Sequence, residues 1–216
     1  NIEKLLGNKY GIKLDNVSYS DHSLVDMAGK SSNAKPGPIL LNEHYRSDPR
    51  IINCSNKEFY AGQLQIKTDL TKLGYEKEFI NKYGGLYWID LKGQYTKPET
   101  GSAYNQIELD QVKILVPKLI EALKKQGFPT KKIGFVTPFR AQESRFRHWL
   151  EEKYPESGWI QSGTAHQFQG AECDFIIFSP VLSEGIQKGT LGWLEKTYNL
   201  LNVAITRARF CLIIIG

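Results

Sequence analysis

Apolar residues in this chain come in short, nearly unbroken runs, and helical patterns fill the gaps between them. From Ile39 onward the runs are Ile39–Asn42, Leu86–Asp90, Lys132–Val136, Trp159–Ser162, Asp174–Ser179 and Phe210–Ile215. A strand wetted on one face alternates apolar with polar residues, whereas a strand covered on both faces stays apolar throughout. The runs therefore predict strands of a mainly parallel sheet with helices on both faces. Between them, Ser47-Asp48-Pro49 offers an N-cap and an N1 proline for a helix reaching about Tyr60, with Gly62 as its stop. Val112, Leu115, Val116, Leu119, Ile120 and Leu123 repeat at helical spacing, and Pro117 predicts a kink there. Thr137-Pro138 opens another helix, with Phe139, Phe146, Trp149 and Leu150 inward. Leu194, Tyr198, Leu201, Ile205 and Ala208 form the stripe of one last helix. The alternation predicts an α/β doubly wound fold, with ligands at the carboxyl ends of the strands.

Residues 1–37 lack this pattern and end in turn formers, Ser31 to Gly37, so they are expected to be a connector. Residues 38–216 make the domain. The first residue is Asn rather than Met, and the chain is expected to be a piece of something longer.

With 41% hydrophobic residues the chain can bury a substantial core, and its net charge of +5 is compatible with a phosphate or nucleic-acid ligand without requiring one. Cys54, Cys173 and Cys211 are scattered and odd in number, with no C-x-x-C pair. That argues against a disulfide framework and a zinc site, and predicts buried reduced thiols in a cytosolic protein. No secretory signal and no membrane-length apolar run is present.

Gly29-Lys30-Ser31 imitates the end of a phosphate-binding loop. Position 24, where that loop needs a glycine, holds Leu24, and no buried strand precedes it, so the expected structure is an exposed turn.

Four segments carry candidate chemistry. In Glu43-His44-Tyr45-Arg46-Ser47-Asp48-Pro49, a ring suited to a purine and a guanidinium suited to a phosphate stand at a strand's end before a helix. A tyrosine packed on the sheet edge beside a solvated arginine explains the same residues. In Thr137-Pro138-Phe139-Arg140-Ala141-Gln142, a hydroxyl, a helix start and a cation can bind an anion; a plain N-cap is the alternative. Ser162 to Asp174 concentrates polar side chains in a loop between two core strands, where His166 lacks a second metal ligand at suitable spacing. Leu201 to Arg209 brings Arg207 from the end of an apolar helix straight into a strand.

Taken in order, these segments resemble the second RecA-like motor domain of a superfamily 1 helicase, in the branch of the nonsense-mediated-decay RNA helicase and the Okazaki-fragment nuclease-helicase. The resemblance covers about Ile39 to Gly216. It implies a RecA-like fold in the C-terminal half of an ATP-dependent DNA or RNA helicase motor. Tyr45 would stack on adenine, and Arg46 and Arg207 would be arginine fingers at the γ-phosphate. Gln169 and Gly170 would border that phosphate, and Glu172 would contact the sugar. Thr137, Arg140, Gln142, Thr164, His166 and Gln167 would touch the backbone of single-stranded nucleic acid. ATP and magnesium are the implied ligands, with the magnesium-binding carboxylates and the phosphate cradle on an upstream RecA-like domain, so the chain alone is expected to be inactive. No metal site and no membrane partner is implied, and the cytoplasm, nucleoid or nucleus would be its location. A non-catalytic nucleic-acid-binding module that keeps the helicase fold is the alternative. A nuclease would need clustered acidic ligands, and Asp90, Asp110 and Asp174 are spread singly.

The sequence departs from the branch in places. Asn199-Leu200 stand where a basic pair commonly precedes Asn-Val-Ala, His166 stands where Asp is frequent, and Ser47 and His166 both resemble UvrD-type relatives. The choice of DNA or RNA stays open.

Overall fold

A computed structural model describes residues 41–98, 101–128, 131–168 and 170–216. The expected connector, the Gly29-Lys30-Ser31 turn and Gln169 lie outside these residues. The elements all fall in the unit Glu43–Gly216.

The chain order is β1 (Glu43–His44), α1 (Pro49–Phe59), β2 (Gln65–Ile66), a 3₁₀ turn (Leu70–Leu73), α2 (Lys77–Tyr83), β3 (Gly85–Ile89), α3 (Gln106–Lys125), β4 (Ile133–Thr137), α4 (Arg140–Lys153), β5 (Ile160–Thr164), β6 (Cys173–Phe178), α5 (Lys188–Lys196), α6 (Asn199–Ile205) and β7 (Ala208–Ile215). β3, β7, β6, β4 and β5 form one five-stranded sheet in that order. Every pairing in it is parallel. With helices on both faces this is the doubly wound α/β fold that the apolar runs predict and the RecA-like fold that the resemblance implies.

Successive side chains of a strand point to opposite faces, and the core divides accordingly. Phe175 and Ile177 of β6 and Ile213 and Ile215 of β7 pack with Leu109, Val112, Val116, Ile120 and Leu123 of α3 and with Phe146 and Leu150 of α4. Ile176 and Phe178 of β6 and Leu212 and Ile214 of β7 pack with Ile51 of α1 and with Ala204 and Ile205 of α6. Each fully buried aliphatic or phenyl side chain contributes about 1.5–3 kcal/mol, which is why the central strands contain almost nothing else.

Asp48 caps α1, accepting from the Arg50 amide at 2.8 Å, and Pro49 fills N1 as expected. α3 starts at Asn105, whose side chain accepts from the amides of Ile107 and Glu108. It runs as a single helix through Pro117.

The structure corrects four expectations. Leu41 and Asn42 carry no strand; the pairing falls on Glu43–His44, which joins β2 in a separate two-stranded ribbon. The stripe of one last helix is two helices, since Thr197 caps α5 and α6 follows. Tyr198 and Leu201 of that stripe are consequently exposed, and Ala208 begins β7. Thr137 is the last residue of β4, not a helix cap, and α4 begins after Phe139. Finally, the two groups of candidate residues sit at opposite ends of the strands, not together at the carboxyl ends. No helix among the described residues is long and apolar enough to cross a membrane.

Candidate functional site

The amino ends of the central strands hold the charged cluster. Cys173 of β6 pairs with Ala208 of β7, so Glu172 and Arg207, one residue before each, are neighbours, with Arg209 one step further on. The Cys173 amide donates to the Arg207 carbonyl at 3.1 Å. The Asp48 amide donates to the Arg209 carbonyl at 2.7 Å, which draws the Tyr45–Asp48 turn onto the same edge. Tyr45, Arg46, Glu172 and Arg207, drawn from distant parts of the sequence, thus converge on one edge of the sheet.

Glu172 is the hub of this cluster. Its Oε1 lies 2.5 Å from Arg46 Nε and its Oε2 3.1 Å from Arg209 Nε. The Arg46 side chain is 36% exposed, so solvent screens the pair and it is worth little, at most about 1 kcal/mol. Arg46 can therefore change partners cheaply. Arg207 is held differently. Its guanidinium donates to the Val203 carbonyl at 3.2 Å, to Thr206 Oγ1 at 3.4 Å and to the Ala171 carbonyl at 3.5 Å. These acceptors are neutral, so they fix the fork without cancelling its charge. Partial burial, and then the positive charge of Arg46, lower its pKa. A guanidinium so placed remains protonated and gains most from an arriving anion.

Tyr45 is 65% exposed, and its hydroxyl donates to the Glu43 carboxylate. It lines an open cleft of about 540 Å³ with Arg46, Glu172, Arg209, Lys67 and Lys72. A bare ring face beside four cations suits a nucleotide better than an apolar ligand. The turn is set by His44, whose Nε2 accepts from the Ser47 amide at 2.9 Å. Burial, and then Arg46, hold the His44 pKa below its ordinary value, which keeps that nitrogen free to accept. The sequence reading missed Arg209, His44, Lys67 and Lys72. Only Arg209 left a signal, since alternate residues of a strand start share an environment with Arg207's neighbours.

The carboxyl ends carry the second group. Thr137 and Thr164 are direct partners at the ends of β4 and β5. Phe168 pins the following loop. Its buried ring lies across Gly134 and Gly163, where an added Cβ would approach it within 2.9 Å and 2.8 Å. Gln167 Oε1 accepts from the Thr164 amide at 2.7 Å and from its hydroxyl at 3.1 Å. His166 and Gln167 face solvent, as does Gly170 at the loop's far end. Arg140 opens α4, is exposed, and makes no ion pair among the described residues.

Two assignments at this end need correction. Gln142 is fully buried: its Oε1 accepts from the Asn105 amide at 2.9 Å and its Nε2 donates to Ser179 Oγ at 2.8 Å. Its side chain braces the interior and cannot reach a bound strand. Thr137 is also fully buried, with Oγ1 accepting from the Phe139 amide at 3.3 Å, so it shapes the turn from within. The Gln142 brace belongs to a larger hub on Glu108. That carboxylate accepts from Ser179 Oγ at 2.5 Å, from the Val181 amide at 3.1 Å and from Asn105 Nδ2 at 2.9 Å. Burial pushes the Glu108 pKa up to about 7 despite these three donors. Among the described residues no three His, Cys, Asp or Glu side chains gather as a metal-ligand set.

Comparison with known proteins gives the chain a family. Residues 21–216 match the profile of a family described as "AAA domain". Helicase sen1 of Schizosaccharomyces pombe is 32% identical over 207 residues, spanning 94% of this chain and 12% of that protein. Regulator of nonsense transcripts 1 homolog of Arabidopsis thaliana is 30% identical, spanning 83% of this chain and 14% of its own length. DNA replication ATP-dependent helicase/nuclease DNA2 of Bos taurus is 27% identical, spanning 84% and 19%. The chain thus spans under a fifth of the length of each of these relatives.

Proposed function

Because the chain belongs to the AAA domain family and, within it, to the nonsense-mediated-decay and Okazaki-fragment branch of the superfamily 1 helicases, we propose that it completes the ATPase site of a nucleic-acid motor and grips the single strand. The observation that carries this reading is the meeting of Tyr45, Arg46, Glu172 and Arg207 at the amino ends of β6 and β7.

Phosphoryl transfer to water demands little covalent chemistry from a protein; it demands positive charge around the transferring group. Arg207 is pre-positioned for that, anchored by neutral acceptors with its charge unspent. Arg46 is the mobile cation, stored on Glu172 until a phosphate competes for it. When it leaves, Arg209 still holds the Glu172 carboxylate in place to accept from a ribose hydroxyl, and the exposed ring of Tyr45 offers a face to adenine. The open cleft and its donors fit such a nucleotide. Gln169 and Gly170 stay proposed neighbours of the γ-phosphate. Magnesium would be held by an upstream RecA-like motor domain. Hydrolysis would then need two domains to close, and closure would move one strand-binding surface relative to the other.

On the strand side Arg140, Thr164, His166 and Gln167 are the proposed contacts, with Thr137 and Gln142 bracing them. Backbone contact of this kind predicts weak sequence preference and strong salt dependence on single-stranded DNA or RNA.

The test is Arg207→Ala in the full-length protein. Turnover should fall by about 10³-fold or more, while binding of a fluorescent ATP analogue persists. Retained turnover would remove the finger role. The 216-residue chain alone should hydrolyse no ATP, and measurable turnover by the pure chain would overturn the dependence on a second domain.

A further inference from the structure

Beside the proposed strand path lies a hollow of which only one wall, Pro138–Arg140, belongs to the motifs. It measures about 360 Å³ and lies between the first turn of α5, the Pro138–Arg140 turn and the segment around Tyr95. Its main face is the Trp193 indole, which is 40% exposed. An indole left in water forfeits much of the stabilisation its burial would bring, and here it is held ready rather than loose. The Phe139 ring packs against it at 5.7 Å between centroids, tilted by 50°. The buried Tyr95 hydroxyl bonds Thr190 Oγ1 at 2.8 Å, which fixes the turn of α5 that carries the indole.

The charge around the hollow selects its occupant. Lys97 and Arg140 are both exposed at its rim. The adjacent groove formed by Leu182, Leu191, Leu194 and Leu201 contrasts with it, being almost wholly apolar with Glu195 as its charged group. An aromatic face rimmed by cations suits a ligand that is flat at one end and anionic at the other. We propose that this hollow is a nucleobase subsite, with Trp193 as the stacking face and Lys97 and Arg140 meeting the flanking phosphates. The inference rests on the strand-binding reading above, since Arg140 is common to both, and it adds a base contact to a path otherwise built for the backbone. Base stacking is sequence-tolerant, so the subsite raises affinity for a strand without reading its letters.

The experiment uses the full-length protein and fluorescence anisotropy. The probes are a short single-stranded oligonucleotide and the same backbone with abasic positions, each in DNA and RNA chemistry. Trp193→Ala should weaken binding of the base-bearing strand by about tenfold and leave the abasic strand unaffected, while Trp193→Phe keeps most of the affinity. Equal losses on both probes, or no loss on the base-bearing strand, would overturn the subsite while leaving the strand-binding reading intact. An unmodified protein that binds neither probe would overturn both.

Discussion

The two ends of the sheet solve different problems with similar side chains. At the amino ends, Arg46, Glu172 and Arg209 form a half-buried but solvent-accessible ion-pair chain, and Arg207 stands beside it with no ion pair among the described residues. At the carboxyl ends, Glu108 is fully buried and every partner is a neutral donor from Ser179, Val181 or Asn105. About five or six strand residues separate the ends, roughly 15–20 Å. Exposure makes the first cluster exchangeable, because solvent replaces whatever contact is given up. Burial makes the second a brace, because an unmet donor in the interior has no substitute. One end is thus suited to trading a cation between carboxylate and an arriving anion, and the other to holding the proposed strand-binding turn still.

This contrast can be broken at several strengths. The largest effect should come from Arg207→Ala, whose loss of about 10³-fold or more in turnover should leave nucleotide-free strand affinity unchanged. A parallel fall in strand affinity would show that the two ends are not separate devices. Next, Glu108→Ala should lower unfolding free energy by about 3 kcal/mol, independent of salt, because three buried donors lose their acceptor. Glu172→Ala should cost under about 1 kcal/mol, since its partners are solvated. Denaturant melts of the two variants side by side would decide this, and comparable costs would refute the distinction.

Smaller is the effect of pH. The Glu108 pKa is raised by burial, from 4.5 to about 7, so the folded state favours its proton. Its contribution to stability is full below pH 4.5 and is lost as pH rises to about 7. Glu108→Gln should flatten that part of the stability profile. His44 runs the opposite way. Its folded pKa is depressed, so its contribution is present above pH 6.5 and is lost as pH falls through the lower folded value. Acidification should therefore loosen the Tyr45–Ser47 turn, and nucleotide affinity measured through that window should fall; a flat response would remove His44 from the setting of the turn. Smallest is Thr164→Ala. Its hydroxyl is mostly buried and bonded to Gln167, so strand affinity should drop only a few-fold, by about one hydrogen bond. Identical affinities across a salt series would drop it from the strand path.

The central strands β4, β6 and β7 were legible in the sequence because they are covered on both faces, and a continuous apolar run such as Phe175–Phe178 or Phe210–Ile215 has few other uses. The helix at Pro49 was legible because Asp48 and Pro49 are a local signal. The break between α5 and α6 was not, because Tyr198 and Leu201 fit a helical stripe equally well whether the helix continues or restarts on another axis. Gln142 was misread for a related reason. A glutamine one helical turn into a candidate strand-binding segment reads as surface, and only its packing against Asn105 and Ser179 turns it inward.

By itself the sequence determined where the central strands and the main helices run and which residues carry charge and hydrogen-bonding chemistry, since these rest on local periodicity and on side-chain type. It did not determine which of them meet. Arg46, Glu172, Arg207 and Arg209 come from three distant stretches, and the parallel register of β6 with β7 sets them side by side. That register is fixed by the burial of both sheet faces at once, a condition on the whole core that no short stretch of chain contains.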